Sequence, residues 1–184
     1  MTGLIIGGVI VIALIAFGVM GFNKLRTSDV AAQEALGGID VQLTRRADLI
    51  PNLVDTVKGY AAHERGTLDE VTQARAAAMA PNQSPAQAAQ TEGELTRALV
   101  NLQAVSEAYP DLKANQNFLA LQNELGSTED RIASARRYYN DAVAKLNTLV
   151  RTIPWMFFTG IAGVHAREFY EAPAGSTEAP RVEF

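Results

Sequence analysis

Residues 118–153 read FLALQNELGSTEDRIASARRYYNDAVAKLNTLVRTI. Within them Phe118, Leu121, Leu125, Thr128, Ile132, Ala135, Tyr139, Ala142, Leu146, Leu149 and Ile153 recur at alternating steps of three and four. Residues at those steps share one face of a helix, so an unbroken 3-4 repeat is the seam of a coiled-coil-like bundle. Glu124, Asp130, Arg136, Arg137 and Lys145 mostly occupy the other faces. Gly126 is the weak point in propensity, and Pro154 ends the repeat because the residue before a proline disfavours helical backbone.

The same periodicity runs upstream through Leu36, Ile39, Leu43, Ile50, Leu53, Val57 and Tyr60. Gly37 and Gly38 interrupt it at ~1 kcal/mol each relative to alanine, either to let the chain flex or to admit a neighbouring helix. Pro51 removes one backbone donor and sets its ring against the carbonyl of Ala47. The stripe stays in phase on both sides, which predicts one bent helix, with a hinge as the other use of the bend. Thr67 and Glu70 match a capping box, so a second helix is expected to start there and to carry Leu68 and Val71. Ser84-Pro85 supplies the N-cap and first residue of a third, which runs through Leu95, Leu99, Leu102 and Val105 towards Tyr109-Pro110. DLKANQ reads as a turn or short connector, and no strand alternation of convincing length appears.

The first twenty-three residues, MTGLIIGGVIVIALIAFGVMGFN, carry no charged side chain. A helix needs roughly 20 apolar residues to cross a ~30 Å hydrocarbon core, and residues 3–22 have that length. A cleaved signal peptide competes, but there is no basic n-region, the run is long and no good A-x-A site follows. Lys24 and Arg26 just after the span place the N-terminus outside and the body in the cytoplasm by the positive-inside rule. Gly3 and Gly7 form a G-x-x-x-G pair suited to close association of membrane helices, although glycine is also simply common in such helices. The predicted fold class is therefore all-α: a single N-terminal transmembrane helix over 1–23, then an antiparallel bundle of long helices over 24–170, one with a proline kink. After Pro154, WMFFTGIAGV is too short to span a bilayer. Trp155, Phe157 and Phe158 suit the end of a core, a membrane interface or a subunit contact. Residues 171–184 are rich in proline, glycine and charge without a period, and read as a disordered tail.

Chemistry is sparse. The chain of 184 residues has 16 basic and 20 acidic side chains, a formal net of -4, without the clustered basic face that nucleic-acid binding needs. The absence of cysteine excludes disulfides, thiolate zinc sites and a cysteine nucleophile. His63-Glu64 lacks the second histidine of H-E-x-x-H, and the other histidine, His165, is far along the chain. The pair reads instead as polar groups ending a helix. Asp69-Glu70 and Glu129-Asp130 are adjacent on helices and point apart, unlike catalytic carboxylate pairs. Arg45 and Arg46 stand out because no acid lies four residues from either and Arg46 falls on the apolar stripe. Their partners are expected among Glu124, Glu129 and Asp130, with an anion or lipid headgroup as the alternative. Nothing argues for an enzyme, a cofactor or a metal.

The runs IDVQLTRRADLIPNLVDTVKGYAAHE, VTQAR and YPDLKANQNFLALQNELGSTEDRIASARRYYNDAV resemble the LemA family, and the likeness extends from the N-terminal apolar segment to about Tyr170. It implies a bacterial protein with one N-terminal transmembrane helix, its N-terminus outside, a long-helix bundle in the cytoplasm and no enzymatic activity. Many relatives carry an aromatic where this chain has Leu36-Gly37-Gly38. The expected role is a membrane-anchored scaffold that self-assembles or docks another membrane protein. The rival is a tethered sensing module that holds an anion or metal through Arg45, Arg46 and His63.

Overall fold

A computed structural model describes residues 1–170, so the tail expected over 171–184 lies outside the described residues. Those described are helical and contain no strand. Helix α1 spans Thr2–Lys58, about 85 Å at 1.5 Å per residue, and runs unbroken through Gly37, Gly38 and Pro51. Helices α2 (Arg65–Ala78), α3 (Pro85–Ser106), the short α4 (Pro110–Lys113) and α5 (Gln116–Arg151) follow. A 3₁₀ turn over Trp155–Phe158 leads into the single turn of α6 (Thr159–Ala162).

The start of α3 is as expected. Ser84 accepts from the backbone of Gln87 while the Gln87 side chain accepts from the Ser84 backbone, a reciprocal capping box ahead of Pro85. The second helix differs. It begins at Arg65, and its N-cap, Glu64, makes no side-chain capping bond, so Thr67 and Glu70 do not form the expected box. The reason is a tight turn after Lys58, where Tyr60, Ala61 and Glu64 donate to Val57, Val57 and Ala61 and turn the chain into α2 early. His63 and Glu64 consequently do not end α1 as expected; they lie beyond it, with His63 exposed. DLKANQ contains most of α4, begun by Pro110 at the first helical position.

The chain forms two compact units. One comprises Met1–Gly38 with Arg137–Glu168; the other comprises Ile39–Arg136 and resumes at Phe169. In the second unit Ile50, Leu53, Val57, Leu68, Val71, Leu95, Leu102, Leu112 and Phe118 make one buried apolar core drawn from α1 to α5. In the first, Leu25, Ala32, Ala35, Val143 and Leu146 are buried. The segment after α6 is held down there by polar bonds. The Asn147 amide donates to the Arg167 carbonyl and accepts from its N–H, both at 2.9 Å, and Arg167 Nε donates to Asp29 at 2.7 Å. The buried Tyr139 hydroxyl donates to the Glu168 carbonyl at 2.9 Å.

Of the eleven residues in the 3-4 repeat, Phe118, Thr128, Ile132, Tyr139 and Leu146 are buried. Ile153 is not, at 73 % exposure, because the helix has already ended at Arg151. Among the described residues no neighbour lies within 4 Å of a side chain built at Gly37 or Gly38, so neither glycine admits a packed helix.

Candidate functional site

Arg46 is the largest fully buried side chain, at 1 % exposure. It lies on α1 four residues before Ile50, on the apolar stripe, so the periodicity that buries its neighbours buries it too. Two helices answer its charge. Nη1 donates to Glu129 on α5 at 2.6 Å and to the Thr96 hydroxyl on α3 at 3.2 Å. Nη2 pairs with the Glu92 carboxylate and donates to the Glu92 carbonyl at 3.4 Å. Burial pushes the Arg46 guanidinium below its ordinary value, Glu129 pushes back through its charge and hydrogen bond, and Arg136 adds to the lowering.

Of the three acids expected for the arginines, Glu129 meets Arg46 and Glu124 meets Arg45, the latter at the surface. Asp130 meets neither. Glu92, only 2 % exposed, was missed. Its signal was present: Ala89, Glu92, Leu95, Ala98 and Leu102 follow helical steps on the buried face of α3, with the acid in register. Sequence alone places that face without saying which α1 residue it meets.

Pro51 has a direct consequence. Its missing N–H leaves the carbonyl of Ala47 without its helical donor. Arg75 on α2 supplies one, its Nε donating to that carbonyl at 2.6 Å. Glu64 accepts from the Tyr109 hydroxyl at 3.0 Å, a bond that pushes the Tyr109 pKa up. Beside Arg46 a groove of about 420 Å³ is lined by Leu53, Thr96, Leu99, Phe118, Leu125 and Glu129.

Gly3 and Gly7 sit on the exposed N-terminal part of α1 with nothing within 4 Å of a side chain built there. An apolar 18-residue window of that helix is entirely uncovered. The aromatics after Pro154 divide. Trp155 stacks on Phe17 with ring centroids 6.3 Å apart, and Phe158 meets Phe17 edge-on at 5.5 Å. Phe157 points away, 69 % exposed. Among the described residues no three histidine, cysteine or acidic side chains converge as a metal site would require.

Residues 35–184, which include the buried arginine, its three partners and the proline, match the LemA family. The chain belongs to the LemA family. Magnetosome protein MamQ 2 of Paramagnetospirillum magneticum is 26 % identical to this LemA-family chain over 193 residues, covering 91 % of the chain and 71 % of that protein. Magnetosome protein MamQ of Magnetospirillum gryphiswaldense is 26 % identical over 196 residues, covering 91 % and 72 %. Protein LemA of Metamycoplasma hominis is 26 % identical over 130 residues, covering 71 % of the chain and 59 % of that protein. Family membership and the long apolar N-terminal helix together point to a membrane-associated helical protein.

Proposed function

We propose that the protein is a non-enzymatic membrane-anchored scaffold: residues 1–23 cross the bilayer once with the N-terminus outside, and the helical body assembles with copies of itself or docks another membrane protein in the cytoplasm. The carrying observation is the bare apolar window of α1, which leaves in the open a surface that water disfavours and lipid accepts. Lys24 and Arg26 at its end support the orientation. The body is read as an antiparallel bundle, with α1 bent at Pro51 around its partners. The buried Arg46 is occupied by its acids, Glu92 and Glu129, rather than set beside a nucleophile and base, which favours a structural role. Relatives named as magnetosome proteins fit assembly better than turnover of a substrate. No cofactor or nucleic acid enters this reading.

Carbonate washing of membranes followed by protease protection tests anchor and orientation. A washed-off protein, or a body cleaved from outside intact cells, sinks them. Cross-linking in intact membranes tests assembly, and monomers with nothing attached speak against it. The groove beside Arg46 favours a second reading, a tethered ligand-binding module. It has lost its simplest support, since Arg45 and Arg46 both face acids. Thermal shifts with phosphates, lipids and divalent metals decide it: no shift with any of them removes it.

A further inference from the structure

Four large apolar side chains crowd the end of the first unit facing outward: Ile153 at 73 %, Met156 at 42 %, Phe157 at 69 % and Ile161 at 77 % exposure. A cluster of that kind calls for a partner. Its neighbours within the unit say which. Trp155 lies between Phe17, on which it stacks, and Lys24, whose Nζ sits 4.3 Å from its ring centre. Phe158 fills the space beside Gly21, where a Cβ would come within 2.5 to 2.9 Å of three of its ring atoms. Phe17 and Lys24 are about 10 Å apart along the helix axis, and they bracket the point where the apolar run of α1 gives way to charge. Through Trp155 and Phe158 the 3₁₀ turn is therefore clamped to α1 where its apolar run ends.

We propose that Ile153, Met156, Phe157 and Ile161 enter the acyl–headgroup boundary of the bilayer that holds the anchor, making the 153–161 segment a second membrane contact. The inference rests on the anchor reading of residues 1–23. Amphipathic tryptophan and a snorkelling lysine suit the boundary, and phenylalanine and isoleucine the acyl side of it. Charge agrees: no acidic side chain occurs between Asp141 and Glu168, while Lys145 and Arg151 do, which suits an anionic leaflet. The segment is also held in shape. Thr159 donates to the Met156 carbonyl at 2.8 Å, Val164 N–H donates to the Thr159 carbonyl at 3.1 Å, and Ala162 and Val164 are buried beneath.

The chain has no cysteine, so single cysteines report unambiguously. Phe157→Cys, Ile161→Cys, Ile10→Cys and Val41→Cys each replace an exposed side chain. Each full-length variant is nitroxide-labelled in phosphatidylcholine–phosphatidylglycerol vesicles, and its collisions with oxygen, which partitions into lipid, and a water-soluble nickel chelate are compared. The expected result is oxygen in excess at 10, 157 and 161 and nickel in excess at 41. Nickel in excess at 157 and 161 with oxygen still dominant at 10 overturns the second contact and leaves the anchor standing. Nickel in excess at 10 as well overturns both. Suppression of both collisions at 157 and 161 means that protein, not lipid, covers the patch, and overturns the proposal too.

Discussion

Helix α1 contains two apolar stretches that meet opposite fates. Between Leu4 and Met20 its large apolar residues point in every direction and all stay exposed. Between Ile39 and Val57 most of them fall on one stripe, and Ile39, Ile50, Leu53 and Val57 are buried while Val41, off the stripe, stays exposed. The difference is periodicity rather than hydrophobicity. A helix apolar all round finds its complement in lipid, whereas a striped helix finds it in other helices and can carry charge on its remaining faces. The stripe can even carry a charge inward, as Arg46 does, provided the neighbouring helices bring acids in register.

That contrast is most severely tested at Arg46. Arg46→Met leaves Glu92 buried without its partner and is expected to cost about 3–5 kcal/mol, read by urea or thermal unfolding in detergent. The double change Arg46→Met with Glu92→Met should recover much of it; if the double variant is no better than the single one, the loss is one of packing rather than of stranded charge. Next in size, Ile50→Ala should lose roughly 2–4 kcal/mol by opening a cavity, while Ile10→Ala in the bare stretch should leave unfolding of the body unchanged. Comparable losses at both positions would erase the distinction between the two stretches.

Arg75→Met should cost on the order of 2 kcal/mol, because the Ala47 carbonyl loses its substitute donor. The penalty should shrink in a Pro51→Ala background, where the backbone N–H returns; a double-mutant cycle with no coupling would break this link. Gly21→Ala drives a methyl group into the Phe158 ring and should cost about 1–2 kcal/mol, whereas Gly7→Ala meets nothing. Trp155 emission, from the chain's one tryptophan, should move for the former and stay put for the latter. Least of all, Arg45→Ala should change stability by under ~1 kcal/mol and more weakly still at high salt, since its pair with Glu124 is exposed to water.

Local signals were read well where one or two residues suffice. Ser84 and Pro85 mark the α3 start within one turn, to which Gln87 adds the other half of a capping box, and the steps of α5 repeat often enough to survive Gly126. They failed where the backbone of a preceding tight turn set the helix start. Thr67 and Glu70 have the composition of a capping box, but the tight turn after Lys58 starts α2 two residues earlier. Glu129 was reachable as a partner of Arg46 because it lies on the seam helix. Glu92 does not stand out as one, because an acid on an otherwise apolar face looks like an interruption until its counter-charge is seen.

The helical class, the apolar N-terminal stretch, the phase of each stripe and the family are legible in the chain's residue order, because each depends on residues within a few turns of one another. Tertiary structure decided which acid meets which arginine, that Arg75 repairs the hydrogen bond removed by Pro51, and that Phe158 rests on Gly21 while Phe157 faces outward. Those outcomes depend on the separation of side chains distant along the chain, and a hydrogen bond or a steric contact changes completely over an ångström or two.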